Sequence, residues 1–396
     1  MSYRRQPTCP DRSLGFVGRA FGRRFLVLFA LLPAITAATS WAIPVTPPAD
    51  PDPTDDQPPE LRSLPSVERG EPRPRSPSTS AQGRAEAILV RADHAAWRGD
   101  GETARELYGQ ALALVPEHPV ALFGLGNLAA GEERLGEAIE WFRRTTHADP
   151  DHRDAHFNLG VALVRQDRLD EALPPFRRVL ALAPDDHQAR HLLAELHLHR
   201  SEATDDPKET LEELRAAATL RPEAPELWIA VAAQLAQLGR LDDAIENYDL
   251  ALARAPESTE AHLGRATALL LGHRFVAARQ ALEESLRTLA DTASDEVRRG
   301  LRHSLARLLA SGPETSVRDG ARALDLALQV FQADPSTTHG ETVAMAYAEI
   351  GRFDLAQHWQ QRMVDALNES QDGGEALGEA RRRLDLYRDE KPYRSP

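Results

Sequence analysis

Prolines recur at a fixed period through the middle of this 396-residue chain. Pro116, Pro150 and Pro184 are spaced by 34 residues, and so are Pro222 and Pro256. Mostly small residues stand 12 positions before these prolines, at Ala104, Ala138, Ala172, Thr210 and Ala244. A second set stands 24 positions before four of them, at Ala92, Gly126, Gly160 and Ala232, and an insertion moves the remaining member to Ala194. Such a period indicates a repeat architecture, in which each unit buries its apolar face against its neighbours.

Aromatic residues complete the skeleton eight positions before the proline, at Tyr108, Phe142, Phe176 and Tyr248. The whole pattern resembles the tetratricopeptide repeat, in which small residues let two helices of a hairpin touch and proline ends the second. The resemblance covers residues 85–292 as six units, which begin near Ala85, Pro119, Arg153, His187, Pro225 and Thr259. It implies an all-α fold, a right-handed α-solenoid of stacked helix hairpins that follows a disordered linker.

The later part of the chain departs from the pattern. The fourth unit gains four residues around "RSEATDDPKE", and the sixth lacks the closing proline. Residues 293–369 are predicted to form two diverged helical hairpins. Residues 370–396 are predicted to form a capping helix and tail, because a solenoid needs a terminal element with a polar outer face.

The N-terminus has the pattern of an export signal. Its first 24 residues carry six arginines against the single Asp11, and residues 25–45 contain no charge. A basic head before an apolar run is typical of an export signal. Residues 1–42 are therefore predicted to be either a signal peptide cleaved after Ala42 or an N-terminal membrane anchor. A cytoplasmic protein with a misleading N-terminus is the third alternative. In both export cases the rest of the chain faces outward, in the periplasm or cell envelope.

A proline-rich segment follows. Residues 43–84 contain 11 prolines and few large apolar residues. Such a composition cannot bury enough surface to offset its ordering entropy. The sequence predicts a disordered linker, extended where it is rich in proline.

Charge and cysteine content exclude several classes of function. The formal net charge is −14, and without residues 1–42 it is −19. Nucleic acid is therefore not expected as a partner, because binding phosphates needs a basic surface. Cys9 is the single cysteine, which excludes disulfides within the chain and cysteine-rich metal sites.

Two consecutive prolines interrupt the second helix of the third unit. With Asp170 as the expected N-cap, Pro174 and Pro175 lie just beyond the first turn. The helix is expected to kink there, with both prolines on its outer side.

No catalytic motif stands out. The sequence lacks a glycine-rich phosphate loop, GxSxG, HExxH and CxxCH. Fewer than 30 residues follow the last predicted hairpin, so no second, catalytic domain is expected and the chain is predicted not to be an enzyme.

His191, Glu195 and His199 share one helix face and could hold zinc. The expectation is nevertheless a polar patch, with no metal site and no cofactor.

The resemblance also implies a groove. In tetratricopeptide arrays, positions 2, 5, 9, 12 and 13 of the first helix line the concave surface. The residues predicted to line the partner-binding groove are Leu89, Asp93, Phe123, Asn127, Phe157, Val161, Arg165, His191, Glu195, Ile229 and Leu263. Arg165 is the only arginine or lysine in this set, so an acidic C-terminus is not the expected ligand. An apolar, slightly acidic groove suits a helix or an extended peptide with hydrophobic anchors. The alternative is that the aromatic at position 5 simply packs within the array.

The sequence therefore predicts a non-catalytic scaffold or adaptor that binds a protein or peptide partner in the cell envelope. The alternative is a structural component that self-associates or assembles an envelope complex without a soluble peptide ligand.

Overall fold

The computed structural model describes residues 80–369 and 374–395. Within these ranges the chain forms 17 α-helices and no strand. In chain order they are α1 (Ala81–Trp97), α2 (Gly101–Leu114), α3 (Pro119–Gly131), α4 (Leu135–Ala148), α5 (Arg153–Arg165), α6 (Leu169–Leu182), α7 (His187–Ala203), α8 (Pro207–Leu220), α9 (Pro225–Gln237), α10 (Leu241–Leu252), α11 (Thr259–Leu271), α12 (Phe275–Thr288), α13 (Asp295–Ser311), α14 (Gly320–Ala333), α15 (Thr337–Glu349), α16 (Phe353–Glu369) and α17 (Gly374–Arg388). The predicted signal or anchor and nearly all of the predicted linker lie outside the described residues.

The described residues divide into two compact units, one ending at His199 and the other beginning at Arg200. In the N-terminal unit, α1–α2, α3–α4 and α5–α6 pack as hairpins, and each hairpin packs on the next. In the C-terminal unit, α8 packs on α9, and the hairpins α9–α10, α11–α12, α13–α14 and α15–α16 follow in the same way. The predicted all-α stack of helix hairpins is confirmed.

The small residues of the repeat skeleton allow close contact inside a hairpin. A Cβ atom at Gly126 would lie 2.5 Å from the ring of Phe142, and one at Gly160 would lie 2.7 Å from the ring of Phe176. Both rings are fully buried. Side chains larger than hydrogen are therefore excluded at these two points unless the aromatic ring moves.

The turn between the two helices of a hairpin uses one backbone position with positive φ. Glycine holds it at Gly99 (78°) and Gly239 (74°), but larger residues hold it at Glu133 (62°), Asp167 (61°) and His273 (54°). The left-handed region costs a residue with a Cβ about 1 kcal/mol or more. The tight turn persists in those units because the packed helices on each side fix it.

The carbonyl of the closing proline accepts a hydrogen bond from the next hairpin. Trp228 Nε1 donates to Pro222 O at 2.9 Å, and His262 Nε2 lies 2.9 Å from Pro256 O. His156 Nε2 makes the same contact at its own repeat position. These side chains satisfy backbone carbonyls in the turn between two hairpins, which lies beyond the end of the preceding helix.

Helix α6 corrects two details of the predicted double-proline segment. The residue before its first turn is Arg168, so Asp170 lies inside the first turn and is not the N-cap. Pro174 is exposed as predicted, but Pro175 is buried, so the prediction that both lie on the outer side is wrong. Consecutive helix residues point about 100° apart, and one of two adjacent prolines must therefore turn toward the packed side.

The first and last helices of the described region are held by a cap and by packing, respectively. Helix α1 begins at Ala81, four residues before the predicted start, where Ser80 Oγ accepts a hydrogen bond from Gly83 N at 3.1 Å. Helix α17 packs on α16 and buries Tyr387 completely. No helix in the described ranges is long and apolar enough to span a membrane.

Candidate partner-binding face

The residues predicted to line the groove lie on the first helix of each hairpin. In the N-terminal unit these helices are α1, α3, α5 and the first part of α7, and in the C-terminal unit they are α9 and α11. Three of the predicted side chains, Leu89, Val161 and Glu195, are at most 6% exposed. They have little surface to offer a ligand. The other eight are partly exposed. Six of these lie in the N-terminal unit, and we name the surface that they form the first-helix face: Asp93, Phe123, Asn127, Phe157, Arg165 and His191.

Two aromatic rings give the first-helix face its largest apolar side chains. Phe123 packs against Phe142 of the same hairpin at 5.9 Å between ring centroids, and against His152 at 4.6 Å. Phe157 packs edge-on against Phe176 at 5.8 Å. Both phenylalanines remain partly exposed. Each ring is therefore anchored by its own hairpin, and each phenylalanine is still partly accessible to solvent.

The polar residues of this face in the first three hairpins are already engaged. Tyr108 donates its hydroxyl hydrogen to Asp93 Oδ1 at 2.7 Å. Burial, together with this carboxylate, raises the pKa of Tyr108 above its ordinary value. Asn127 Oδ1 accepts from the side chain of Asn158 at 2.8 Å.

Arg165, the basic residue of the predicted groove, forms an ion pair with Glu133 in the turn between α3 and α4. The acidic terminus of a ligand would therefore meet an arginine whose charge Glu133 already balances.

The histidine-rich helix α7 gives no closed metal site. His191 Nδ1 lies 4.0 Å from Glu195 Oε1, at the outer limit of an ion pair. Among the residues that the structure describes, no three or more His, Cys, Asp or Glu side chains are grouped so that they could hold a metal ion.

Comparison with known proteins identifies the repeats. Sequence models described as "Tetratricopeptide repeat" match residues 89–152, 142–187 and 157–225, and a further one matches residues 225–268. The chain is a tetratricopeptide repeat protein. The matched stretch runs from α1 to α11, the region in which the 34-residue period of the sequence is clearest.

Solved structures similar to this tetratricopeptide protein cover parts of it. MamA from Desulfovibrio magneticus RS-1 is 20% identical over 44% of this chain and 96% of its own, with a TM-score of 0.30. YrrB, described as a TPR protein with an unusual peptide-binding site, is 18% identical over 48% and 95%, with a TM-score of 0.31. An O-GlcNAc transferase from Thermobaculum terrenum is 27% identical over 36% and 27%, with a TM-score of 0.29. No curated protein sequence matches the chain.

Three exposed apolar side chains at groove positions of the tetratricopeptide frame were missing from the predicted set. Trp97 is 68% exposed, Leu271 is 45% exposed and Val120 is 43% exposed. Trp97 and Leu271 occupy position 13 of their repeats, and Val120 occupies position 2. The sequence alone could have identified these three residues, because positions 2 and 13 belong to the set that lines the groove.

A cleft opens between α2 and α4 of the N-terminal unit. This cleft of about 250 Å³ is lined by Gly109, Trp141, apolar side chains of α2 and α3, and the charged Arg105, Arg134 and Glu137. At the position of Gly109, the next two repeats carry the long side chains of Arg143 and Arg177. The cleft is smaller than most small-molecule sites, which span roughly 300–1,000 Å³.

Proposed function

We propose that this tetratricopeptide protein is a non-catalytic scaffold that binds a protein or peptide partner through the first-helix face of its N-terminal unit. One observation supports it most strongly. The charged and polar residues of that face in the first three hairpins pair within the protein, whereas Phe123 and Phe157 stay partly exposed. Partly exposed aromatic side chains held in place by packing are typical anchors for a partner.

The buried hydroxyl–imidazole pair in the C-terminal unit favours a structural role over catalysis. Ser285 Oγ lies 3.1 Å from His262 Nδ1, a spacing that a nucleophile and its base also use. Ser285 is 0% exposed and His262 is 3% exposed, and Pro256 O occupies the second ring nitrogen. No substrate can reach such a pair, so we assign it to packing.

The proposed setting is the cell envelope. Support comes from the sequence, in which six arginines precede an uncharged run at residues 25–45. A reporter that is active only outside the cytoplasm, fused after Gly83, should therefore show activity. Activity of a cytoplasmic reporter at the same position would instead contradict export.

The first-helix face is tested by replacing both Phe123 and Phe157 with glutamate. If they anchor a partner, charge at the docking point should weaken capture by about 2 kcal/mol or more, roughly 30-fold. The melting temperature should fall little, because the partly exposed positions can hold the carboxylates. Capture from envelope extract by residues 80–396 measures the first quantity, and thermal unfolding measures the second.

A matched control places the same two charges elsewhere. Leu250 and Val276 are 40% and 44% exposed on α10 and α12, the second helices of their hairpins. Their double glutamate variant should capture the same proteins as the wild type. If the phenylalanine variant instead collapses in stability, both rings belong to the core, since unpaired buried charge is strongly destabilising.

The alternative, self-association without a soluble ligand, predicts a different result. The isolated protein would then have the mass of a dimer or larger assembly by size exclusion with light scattering. A monomeric mass favours the scaffold.

A further inference from the structure

The last described residues turn back onto the C-terminal unit. Helix α17 ends at Arg388, and Glu390 adopts a positive φ of 56°. Lys391 N then donates to Leu386 O at 2.9 Å, and Glu390 N donates to Tyr387 O. This pair of bonds is that of a Schellman turn, which reverses the direction of the chain. We name residues 391–395 the tail.

The end of the tail reaches the C-terminal ends of two earlier helices. Ser395 N donates to Ser311 O, in the last turn of α13, at 2.8 Å, and the two hydroxyl oxygens also lie 2.8 Å apart. Arg394 Nη1 lies 2.6 Å from Glu349 Oε2 at the end of α15. The tail thus donates a backbone N–H to a carbonyl at the end of α13, and its Arg394 guanidinium pairs with a carboxylate at the end of α15.

The aromatic residue of the tail has its own contact. Tyr393 packs against the cluster that contains the buried Tyr387, and the guanidinium carbon of Arg383 lies 5.5 Å from the centre of its ring. Ser311, Glu349, Arg383 and Tyr387 together form what we name the tail seat.

The carboxylate of the seat is held without help from the tail. Arg318 Nε binds Glu349 Oε1 at 2.9 Å, and Arg318 also donates to Gly312 O and Pro313 O at 2.9 Å each. The side chains of Glu349 and Arg318 are 15% and 13% exposed. Because Arg318 uses only one carboxylate oxygen, the other stays positioned for a second guanidinium.

The tail itself is lightly held. None of its five residues is buried, and the side chain of Arg394 is 34% exposed. Apart from the packing of Tyr393, its contacts are polar, and each such contact contributes modestly once exchange with water is counted. The tail can therefore leave the seat while α17 stays packed.

We propose that the tail seat is a binding site for an extended peptide in which an aromatic residue, an arginine and a small hydroxyl residue follow one another. The tail is its resident occupant, and a partner segment of the same chemistry displaces it. Recognition uses the tyrosine-binding surface, the free oxygen of Glu349 and the carbonyl of Ser311. The seat lies in the C-terminal unit and uses none of the aromatic residues of the first-helix face, so its test is independent of the proposed function.

The test uses a fluorescein-labelled peptide of residues 389–396 and anisotropy titrations. A tethered segment acts at an effective concentration of the order of millimolar, which masks its own site. We expect the full chain to bind the peptide at least about tenfold more weakly than a chain that ends at Glu390. In the shortened chain, Glu349→Gln should weaken binding about tenfold, through loss of the ion pair with the arginine of the peptide.

A second variant covers the case in which the shortened chain fails to fold. Full-length Arg394→Glu sets a negative charge against Glu349 and should open the seat to the peptide. Arg382→Glu is the matched control, because that side chain is 71% exposed on α17 and should leave the seat closed. The inference is overturned if the shortened chain and the Arg394→Glu protein bind the peptide no more tightly than they bind a control peptide in which alanine replaces the arginine. It is overturned equally if both variants lose their fold, because the tail is then a fixed part of the structure.

Discussion

Gly239 and Gly109 differ in backbone conformation, so glycine is expected to favour the folded state at the first site and to weaken it at the second. Gly239 has a φ of 74° in the turn between α9 and α10, and a Cβ there would meet no atom within 4 Å. Gly109 lies inside α2, and a Cβ there would also meet nothing within 4 Å. Space is equal at the two sites, so any difference between their alanine variants reports the backbone alone.

We expect Gly239→Ala to destabilise the protein by about 1 kcal/mol, because alanine is strained at positive φ. Gly109→Ala should stabilise it by about 0.5–1 kcal/mol, because glycine is costly inside a helix. Urea unfolding followed by circular dichroism measures both changes. Equal shifts of the same sign would show that the turn does not hold Gly239 in the left-handed region.

Burial of His303 makes the stability of the folded protein depend on pH. Burial is the main cause that lowers its pKa from 6.5 to about 3, with smaller contributions from His339 and Arg307. The two imidazole rings lie edge to face at 4.6 Å. Between these two pKa values the unfolded chain binds a proton that the folded chain does not, so stability falls as the pH falls from about 6.5 toward 3.

The slope of this loss is at most about 1.4 kcal/mol per pH unit. His303→Leu should remove that part of the acid sensitivity, so its melting temperature should fall less between pH 7 and pH 4.5. His358→Gln, a change of an exposed histidine in the same unit, serves as the control and should keep the wild-type slope. A His303→Leu protein as acid-sensitive as the wild type would assign the effect to other groups.

At the scale of the helix, α6 shows how stacking tolerates a poor local sequence. Pro174 and Pro175 are the sixth and seventh residues of a helix that nevertheless runs from Leu169 to Leu182. Each proline removes a backbone bond and crowds the carbonyl four residues earlier. The neighbouring hairpins supply the stability, since Phe176 and Val179 of the same helix are fully buried.

Pro174→Ala should therefore stabilise the protein by about 2 kcal/mol, because the exposed site gains a donor and loses a clash. Pro207→Ala is the control. Pro207 is the first residue of α8, where proline is well tolerated, and its replacement should change stability by less than about 0.5 kcal/mol. Thermal unfolding of the two variants beside the wild type gives the comparison. A neutral Pro174→Ala would mean that α6 is already distorted enough to lose that bond.

At the scale of the molecule, the terminal helix closes the stack of the C-terminal unit. Ala380 and Leu384 of α17 pack on Val364 of α16, while Arg381 and Arg382 point to solvent. A repeat protein needs such a polar-faced end to stay soluble, because each hairpin leaves one apolar face for its neighbour.

Deletion of residues 374–396 should expose that face. We expect the shortened protein to aggregate, or to lose protection from hydrogen exchange first in α15 and α16. Analytical ultracentrifugation and exchange mass spectrometry measure the two outcomes. A soluble, equally stable protein would show that α17 is not needed as a cap, whereas removal of the tail alone should leave α15 and α16 protected.

The sequence by itself determined the repeat period, the all-α class and the residues at which helices of a hairpin touch. Those features are local and recur every 34 residues, and in a stacked array each unit depends mainly on its neighbours. Tertiary structure decided which groove side chains are free. Asp93, Asn127 and Arg165 find partners 15, 31 and 32 residues away, in contacts that exist only once the helices have packed. The contact between Ser311 and Ser395 spans 84 residues, so no spacing rule could predict it, and packing of the last hairpins alone brings the two residues together.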